Sequence, residues 1–259
     1  MADEVRVAKD GGVAVVVIDH PPLNVLSHDI FLQLDDTFQR LAHDDEVVVV
    51  VLTTAGDRAF IAGADIKEFP SLMANANMRG EVMETHHAIT RIDRFPKPTI
   101  AVLDGLTLGG GLELALAFDL RIAEEHAQLG LPEVKLGLFP GGGGTQRLSR
   151  IVGEAKAKEM MFTGDPVSAA EAYRVGIVNQ VVPTGAGLDA ARAMAAKITR
   201  HSLQSLTRIK RAVDQGLEMP LERALEHEAD LFVEVFQTED VREGVSAFIE
   251  RRQPTFNHR

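Results

Sequence analysis

The sequence of 259 residues predicts an α/β fold with a helical C-terminal region, and three observations support this. First, β-branched runs at 13–18, 47–52 and 99–103 are typical of strands that are buried on both faces of a sheet. Second, segments with helical periodicity alternate with such runs, as in α/β proteins. Third, only helical periodicity remains toward the C-terminus. We therefore expect a core over 1–187 and a helical region over 188–259.

The individual elements follow from local signals in the chain. Ser27 is suited to cap a first helix, in which apolar residues recur at helical spacing at Phe31, Leu34, Phe38 and Leu41. Further helices are expected over 78–94 and after a capping box that begins at Ser168. The remaining predicted elements are strands over 119–123 and 177–182, a C-terminal helix with Pro220 in its first turn, and a last helix over 240–251.

The composition excludes several classes of function. The net charge of −11 provides no basic excess to offset phosphate repulsion, which argues against a general nucleic-acid binder. The sequence contains no cysteine, so disulfides, thiolate metal sites and a cysteine nucleophile are excluded. No apolar stretch is long enough to span a membrane, and the acidic start does not resemble a leader peptide. We expect a cytoplasmic address, or the mitochondrial matrix if a presequence has been removed.

Glu113 is the most informative residue, because it is the only ionisable group between Asp104 and Asp119. An ionised carboxylate in so apolar a run is costly unless the protein uses it. Glycines 109–111 precede it, after a predicted strand and at the start of a predicted helix. Such a turn exposes peptide N–H groups that can bind an anion or stabilise an oxyanion during a reaction. Tight packing of the helix on the sheet would explain the same glycines.

A second carboxylate, Glu133, follows Pro132 in another stretch with little charge. Two glycine-containing loops also precede predicted helices, at 60–68 and at 139–147. Small residues in the first loop let a bare peptide N–H face a ligand, and the second is either an anion site or a turn beside a crowded site. The histidines lack partners at metal-ligand spacing, so no metal site is expected.

Taken together, these segments resemble the enoyl-CoA hydratase/isomerase family, the crotonase superfamily. The resemblance runs nearly end to end and is carried by the order and spacing of five segments, at 22–26, 59–68, 105–119, 131–148 and 243–256. It implies a spiral of strand–strand–helix units. It also implies that the C-terminal helices assemble the chain into trimers, commonly stacked as hexamers.

The resemblance also implies an activity and its residues. Ala64 and Gly110 would donate their peptide N–H groups to the thioester carbonyl of an acyl-CoA, and Glu113 and Glu133 would be the catalytic carboxylates. Addition of water to a trans-2-enoyl-CoA pushes electrons onto the thioester oxygen, so it requires an oxyanion site and groups that move protons. We expect Glu113 to deprotonate water and Glu133 to protonate the α-carbon. No cofactor is expected, because CoA is part of the substrate.

Residues for the CoA moiety are implied in the same way. The expected contacts lie in the loop over 58–67 and at the chain end, at Arg58, Ala62, Asp65, Ile66, Lys67 and, toward a neighbouring subunit, Arg251. An ordinary surface cation remains the alternative for Arg58 and Arg251. Two further functions stay open: a double-bond isomerase, which needs only one of the carboxylates, and a non-catalytic acyl-CoA or RNA-binding module on the same fold.

Overall fold

The computed structural model describes residues 4–259 and contains two β-sheets and eleven α-helices within that range. The first three residues, part of the acidic start from which we expected no leader peptide, lie outside the described residues. The strands are Val5–Asp10 (β1), Val13–Ile18 (β2), Val49–Thr54 (β3), Ala59–Ile61 (β4), Thr99–Leu103 (β5), Leu106–Leu108 (β6), Leu120–Glu124 (β7), Gln128–Gly130 (β8), Val167–Ser168 (β9) and Gln180–Val182 (β10).

The helices occupy the connections and the whole C-terminal part of the chain. They are His28–Ala42 (α1), Phe69–Ala74 (α2), Met78–Asp93 (α3), Gly110–Ala115 (α4), Gly144–Val152 (α5), Glu154–Thr163 (α6), Ala169–Arg174 (α7), Gly187–Ile198 (α8), Leu203–Gly216 (α9), Leu221–Val235 (α10) and Glu239–Glu250 (α11). None of these helices is long and apolar enough to cross a membrane.

The strands are divided between two sheets. The six-stranded sheet has the order β1-β2-β3-β5-β7-β10, with β1 antiparallel to β2 and all other pairs parallel. The four-stranded sheet has the order β4-β6-β8-β9, in which only the β8–β9 pair is antiparallel. The predicted α/β fold class is therefore confirmed.

The chain passes from the larger sheet to the smaller one three times, each time through two consecutive strands. In β3–β4, β5–β6 and β7–β8, the first strand belongs to the six-stranded sheet and the second to the four-stranded sheet. A helical segment follows each pair before the chain returns to the first sheet. This repetition is the expected spiral of strand–strand–helix units. It brings the ends of β4, β6 and β8 to one edge of the smaller sheet, where the candidate site lies.

The main apolar core lies beneath α1, α3 and α4 and includes Leu34, Phe38, Phe60 and Leu112. A second cluster lies between the six-stranded sheet and α8. Because α8 packs directly on this sheet, the C-terminal region begins in contact with the core. The division into 1–187 and 188–259 stays a prediction.

Most predicted elements agree with the structure to within two residues. The hydroxyl of Ser27 accepts a hydrogen bond from the Ile30 N–H, as expected for the cap of α1. The strand predicted over 177–182 begins only at residue 180, because the N–H groups of Ile177 and Val178 both bond to the Ala172 carbonyl and close the end of α7. Pro220 is the N-cap of α10 and not a residue of its first turn.

Candidate active site

Glu113 lies on the first turn of α4, and its side chain is held by a loop distant in sequence. The residue is 4% exposed. Its Oε1 accepts hydrogen bonds from the N–H groups of Gly142 at 2.7 Å and Gly144 at 2.8 Å. The four-glycine loop 141–144 thus turns out to bind an anion, and that anion is the carboxylate of Glu113.

Opposing effects act on the charge of Glu113. Burial raises the pKa of this carboxyl, while the two N–H groups and the positive charge of Arg147 lower it, and the net pKa remains above the ordinary value. Hydrogen bonds from two peptide groups stabilise the carboxylate form and fix its orientation. The site can therefore hold an ionised Glu113 in a place where water is largely excluded.

Glu133 lies on a short 3₁₀-helix, Glu133–Leu136, that begins after Pro132. Its Oε2 is buried and has no hydrogen-bond partner among residues 4–259. Burial raises the pKa of this carboxyl to about 7, and the negative charge of Glu113 acts in the same direction. Glu133 is therefore suited to carry a proton near neutral pH and to release it to a group placed beside it.

The two carboxyls flank the start of α4. A Cβ on Gly109 would lie 3.1 Å from Oε1 of Glu133, so this carboxyl contacts the turn that leads into the helix. Gly109 has a φ of 52°, a left-handed conformation that favours glycine. Because Glu113 is on that same helix, the two side chains face one region, as expected for groups whose charges affect each other.

Two peptide N–H groups, from Ala64 and Gly110, also meet at this region. The Leu26 N–H donates to the Gly63 carbonyl at 2.8 Å, and the Leu26 carbonyl accepts from the Asp65 N–H at 2.9 Å. The Ala64 N–H lies between these two bonds and takes part in neither. The Ala64 nitrogen lies only 3.6 Å from the position of a Cβ on Gly110. Neither N–H finds an acceptor in the described part of the chain. Such a pair is suited to stabilise an oxyanion.

The residues expected to bind CoA lie partly in the segment around Ala64 and partly elsewhere in the chain. Ala62, Asp65, Ile66 and Lys67 continue the same segment; Asp65 caps the turn by accepting the Lys67 N–H at 3.0 Å, and Ile66 is 58% exposed. Arg58 is exposed just before β4. Arg251 is the C-cap of α11, and among the described residues its side chain makes no hydrogen bond or ion pair with the segment 58–67.

A groove begins at Ala64 and runs between α1, α2 and α3. Its volume is about 960 Å³. Its walls are apolar near Leu26 and Phe31 and carry an ion pair between Arg91 and Asp35, with distances of 2.6 and 2.8 Å. No group of three His, Asp or Glu side chains in residues 4–259 is placed to hold a metal ion.

Sequence reasoning missed two contributors to this site. The glycine loop at 139–147 was considered as an anion site, but the N–H groups of Gly142 and Gly144 were not connected with Glu113. Arg147, at the end of the segment 139–147, was given no role. Its signal was a single cation shortly after a glycine-rich turn, which is too common to single out.

Comparisons with known proteins agree with this geometry. The family model described as enoyl-CoA hydratase/isomerase matches residues 8–259. The chain is 42% identical over 253 residues to a probable enoyl-CoA hydratase of Bacillus subtilis, covering 97% of this chain and 98% of that protein. It is 39% identical over 252 residues to the short-chain-enoyl-CoA hydratase of Clostridium acetobutylicum, covering 97% and 96%.

A solved structure gives the same result for the fold. The enoyl-CoA hydratase of Bacillus anthracis superposes with a TM-score of 0.94 at 35% identity, covering 99% of this chain and 100% of that one. The spiral described above is therefore the crotonase fold. Matches along the full length in both sequence and structure show that the chain belongs to the enoyl-CoA hydratase/isomerase family.

Proposed function

We propose that this protein is an enoyl-CoA hydratase, a hydro-lyase that adds water reversibly and in the syn sense to a trans-2-enoyl-CoA, giving a 3-hydroxyacyl-CoA. The observation that carries the proposal is the presence of two carboxyls, the buried Glu113 and the partly buried Glu133, beside a pair of peptide N–H groups that have no acceptor among residues 4–259. An isomerase needs only one carboxylate to move a proton, so the pair favours hydration. The names of the relatives support the same reaction.

In this proposal the thioester carbonyl lies between the N–H groups of Ala64 and Gly110. Both donors are fixed by the backbone and need no rearrangement when negative charge develops on the oxygen. The N-terminus of α4 adds a favourable potential at the same point. These groups stabilise the enolate that forms during the addition more than the neutral thioester, and this difference lowers the barrier.

The two carboxyls divide the proton transfers. Glu113 takes a proton from water as the water oxygen bonds to the β-carbon, and the π electrons move onto the carbonyl oxygen. The enolate then returns these electrons to the α-carbon, which accepts a proton from Glu133. Since burial raises the pKa of Glu133 to about 7, this residue can carry that proton at neutral pH. Proton exchange between the two carboxyls or with solvent restores the starting state.

The acyl chain is proposed to extend into the groove that begins at Ala64. Many of the side chains that line this groove come from residues 69–91, and we propose that this stretch sets the preferred chain length. Its lining includes five acidic side chains, those of Asp35, Asp65, Glu68, Glu81 and Glu84, but only two Lys or Arg side chains. We therefore expect neutral acyl chains to be preferred over chains that end in a carboxylate.

The CoA moiety is proposed to lie across the segment that contains Ala62, Asp65, Ile66 and Lys67, of which the last two are exposed. Ile66 offers an exposed apolar side chain to the adenine, and Lys67 offers a positive charge to the phosphates. Arg58, an exposed cation directly before β4, is proposed as a further contact for CoA. Because CoA is the carrier of the substrate, the reaction requires no separate cofactor.

The C-terminal helices are proposed to build a homotrimer, stacked in pairs as a hexamer. Their exposed apolar side chains include Phe232, Phe236, Phe248 and Ile249, which a second copy would cover. In such an assembly Arg251 would reach the CoA bound to a neighbouring subunit. We also propose a cytoplasmic address, and the mitochondrial matrix if a presequence has been removed.

Purified protein mixed with crotonyl-CoA tests the proposed reaction. We expect the absorbance of the conjugated thioester to fall and 3-hydroxybutyryl-CoA to appear by mass spectrometry. The 3-butenoyl isomer serves as the second substrate, since an isomerase would convert it to crotonyl-CoA without adding water. Failure to hydrate any member of a panel of short, long, branched and aromatic enoyl-CoAs would overturn the proposal, and binding of CoA without turnover would indicate the non-catalytic module.

A further inference from the structure

Arg147 lies directly against the glycine loop that holds Glu113. Its Nη1 lies 2.2 Å from the point where a Cβ on Gly143 would be, so the guanidinium occupies the place of a side chain on the middle residue of the loop. The neighbours of Gly143 are the two glycines whose N–H groups bind Glu113. The side chain of Arg147 is only 17% exposed.

Asp93 fixes this guanidinium from the other side. Its Oδ2 accepts hydrogen bonds from Nε of Arg147 at 3.3 Å and from Nη2 at 3.1 Å. The Thr90 hydroxyl accepts a longer bond at 3.5 Å. Since Asp93 is the last residue of α3 and Arg147 lies in the first turn of α5, the pair connects the end of α3 to the start of α5.

We propose that Arg147, anchored by Asp93, is a positioning residue that holds loop 141–144 in the conformation in which Gly142 and Gly144 orient the carboxylate of Glu113. This inference rests on the proposed role of Glu113. Arg147 touches neither the substrate carbonyl site nor the reacting atoms. It acts through the peptide groups of the loop and through its charge.

The charge of Arg147 gives the arrangement a second effect. It lowers the pKa of Glu113 against the effect of burial, and so favours the carboxylate that deprotonates water. Other charged groups also lie on the elements packed near Arg147 and Glu113. They are Glu133 beside Glu113, Asp119 and Arg121 from the turn before β7 and from β7, and Lys210 and Asp214 from α9.

If Arg147 only stabilised the fold through its ion pair, its replacement would have different kinetic effects than if it positions Glu113. Replacing Arg147 by methionine keeps much of the volume but removes both the fork of donors and the charge. We expect kcat to fall about 10- to 100-fold, the effect of a small misplacement of a reacting group, with little change in KM. The acidic limb of the pH–rate profile should move to higher pH, because the pKa of Glu113 rises when the positive charge is lost.

Three matched variants separate charge from geometry. Arg147→Lys keeps the charge, so its acidic limb should stay in place while kcat falls. Asp93→Asn leaves the cation but releases its anchor, so kcat should fall without an upward shift of the limb. Arg150→Met is the control, because Arg150 lies on the same helix but is exposed and bonds to Gln146 and not to the loop. This control should keep the wild-type kcat and pH profile.

The experiment measures crotonyl-CoA hydration by all five proteins across pH, with an NMR titration of the Glu113 carboxyl in each. The inference is overturned if Arg147→Met matches Arg150→Met in kcat and in the position of its acidic limb. Should Arg147→Met fail to fold, Arg147→Lys decides, because wild-type kcat or an upward shift of its limb would contradict the proposal. A wild-type protein that hydrates nothing would instead overturn the proposed function, and the NMR titration would still test the effect of the charge.

Discussion

The carboxylate of Glu113 occupies the space that a side chain on Gly142 would need. A Cβ on that glycine would lie 2.6 Å from Oε2 and 3.0 Å from the carboxyl carbon of Glu113. The same glycine donates its N–H to Oε1. Gly142 therefore serves Glu113 in two ways, by providing a hydrogen bond and by leaving room for the side chain.

This contact predicts a strong effect of a single methyl group. In Gly142→Ala the carboxylate or the loop must shift, so we expect kcat for hydration to fall about 100-fold, as for a misplaced reacting group. Gly141→Ala is the matched control, because its nearest neighbour would be the Phe139 carbonyl at 3.9 Å. Steady-state kinetics on both variants check the prediction. Equal activity of the two would show that the position of Glu113 does not limit the reaction.

A second prediction concerns the alkaline side of the pH–rate profile. If Glu133 delivers the proton to the α-carbon, hydration requires its protonated form. Burial raises the pKa of Glu133 to about 7, so kcat/KM should decline as pH rises through that value. A profile measured on crotonyl-CoA with wild-type protein tests this. A rate that stays constant well above neutral pH would contradict the assignment of Glu133 as the acid.

A third prediction concerns stability. The pKa of Glu133 rises from 4.5 to about 7 on folding, so ionisation at high pH destabilises the folded state. Glu133→Gln removes this cost, and it should raise the free energy of unfolding by roughly 1–3 kcal/mol above pH ~7. Below pH ~4.5 the two proteins should be equally stable with respect to this group, because the carboxyl is then protonated in both states. Urea unfolding across pH measures the difference, and a variant that gains no stability at high pH would refute the burial argument.

A fourth prediction concerns a buried acid away from the proposed chemistry. Asp104 follows β5 and accepts hydrogen bonds from the hydroxyls of Thr53 and Thr54. Burial raises the pKa of Asp104 to about 6, so its ionisation destabilises the fold above that pH. Asp104→Asn keeps an acceptor and should stabilise the protein by roughly 1–3 kcal/mol near pH 8, but not at low pH. The exposed Asp45 provides a control, since Asp45→Asn should leave the unfolding midpoint unchanged. A gain that is independent of pH would argue against ionisation as the cause.

Elements were predicted from the sequence where their signal lies within one stretch of chain. Ser27 and the apolar spacing after it define α1 within one stretch of chain, and the structure agrees. The strands β4, β6, β8 and β9 were not predicted as elements, because two or three residues are too few to show a periodicity. β1 was missed because five of its six residues are exposed or nearly so, and its charged positions hide the strand pattern.

In the candidate site, too, residues with a local signal were predicted, and contacts between distant parts of the chain were not. Glu113 and Glu133 were identified from their uncharged surroundings, and the resemblance supplied their roles and those of the Ala64 and Gly110 N–H groups. The partners of Glu113 were not predicted, because Gly142 is 29 residues away and only the fold brings the two together. The pair of Arg147 with Asp93 spans 54 residues, and nothing in the local sequence of either residue points to the other.

The most direct test of the central claim is the rate of crotonyl-CoA hydration by wild-type protein, Glu113→Gln and Glu133→Gln, measured side by side. The account predicts turnover by the wild type and a loss of several orders of magnitude in each variant, because each removes one of the two proton transfers while keeping the shape of the site. Full activity in either variant would contradict the two-carboxylate mechanism.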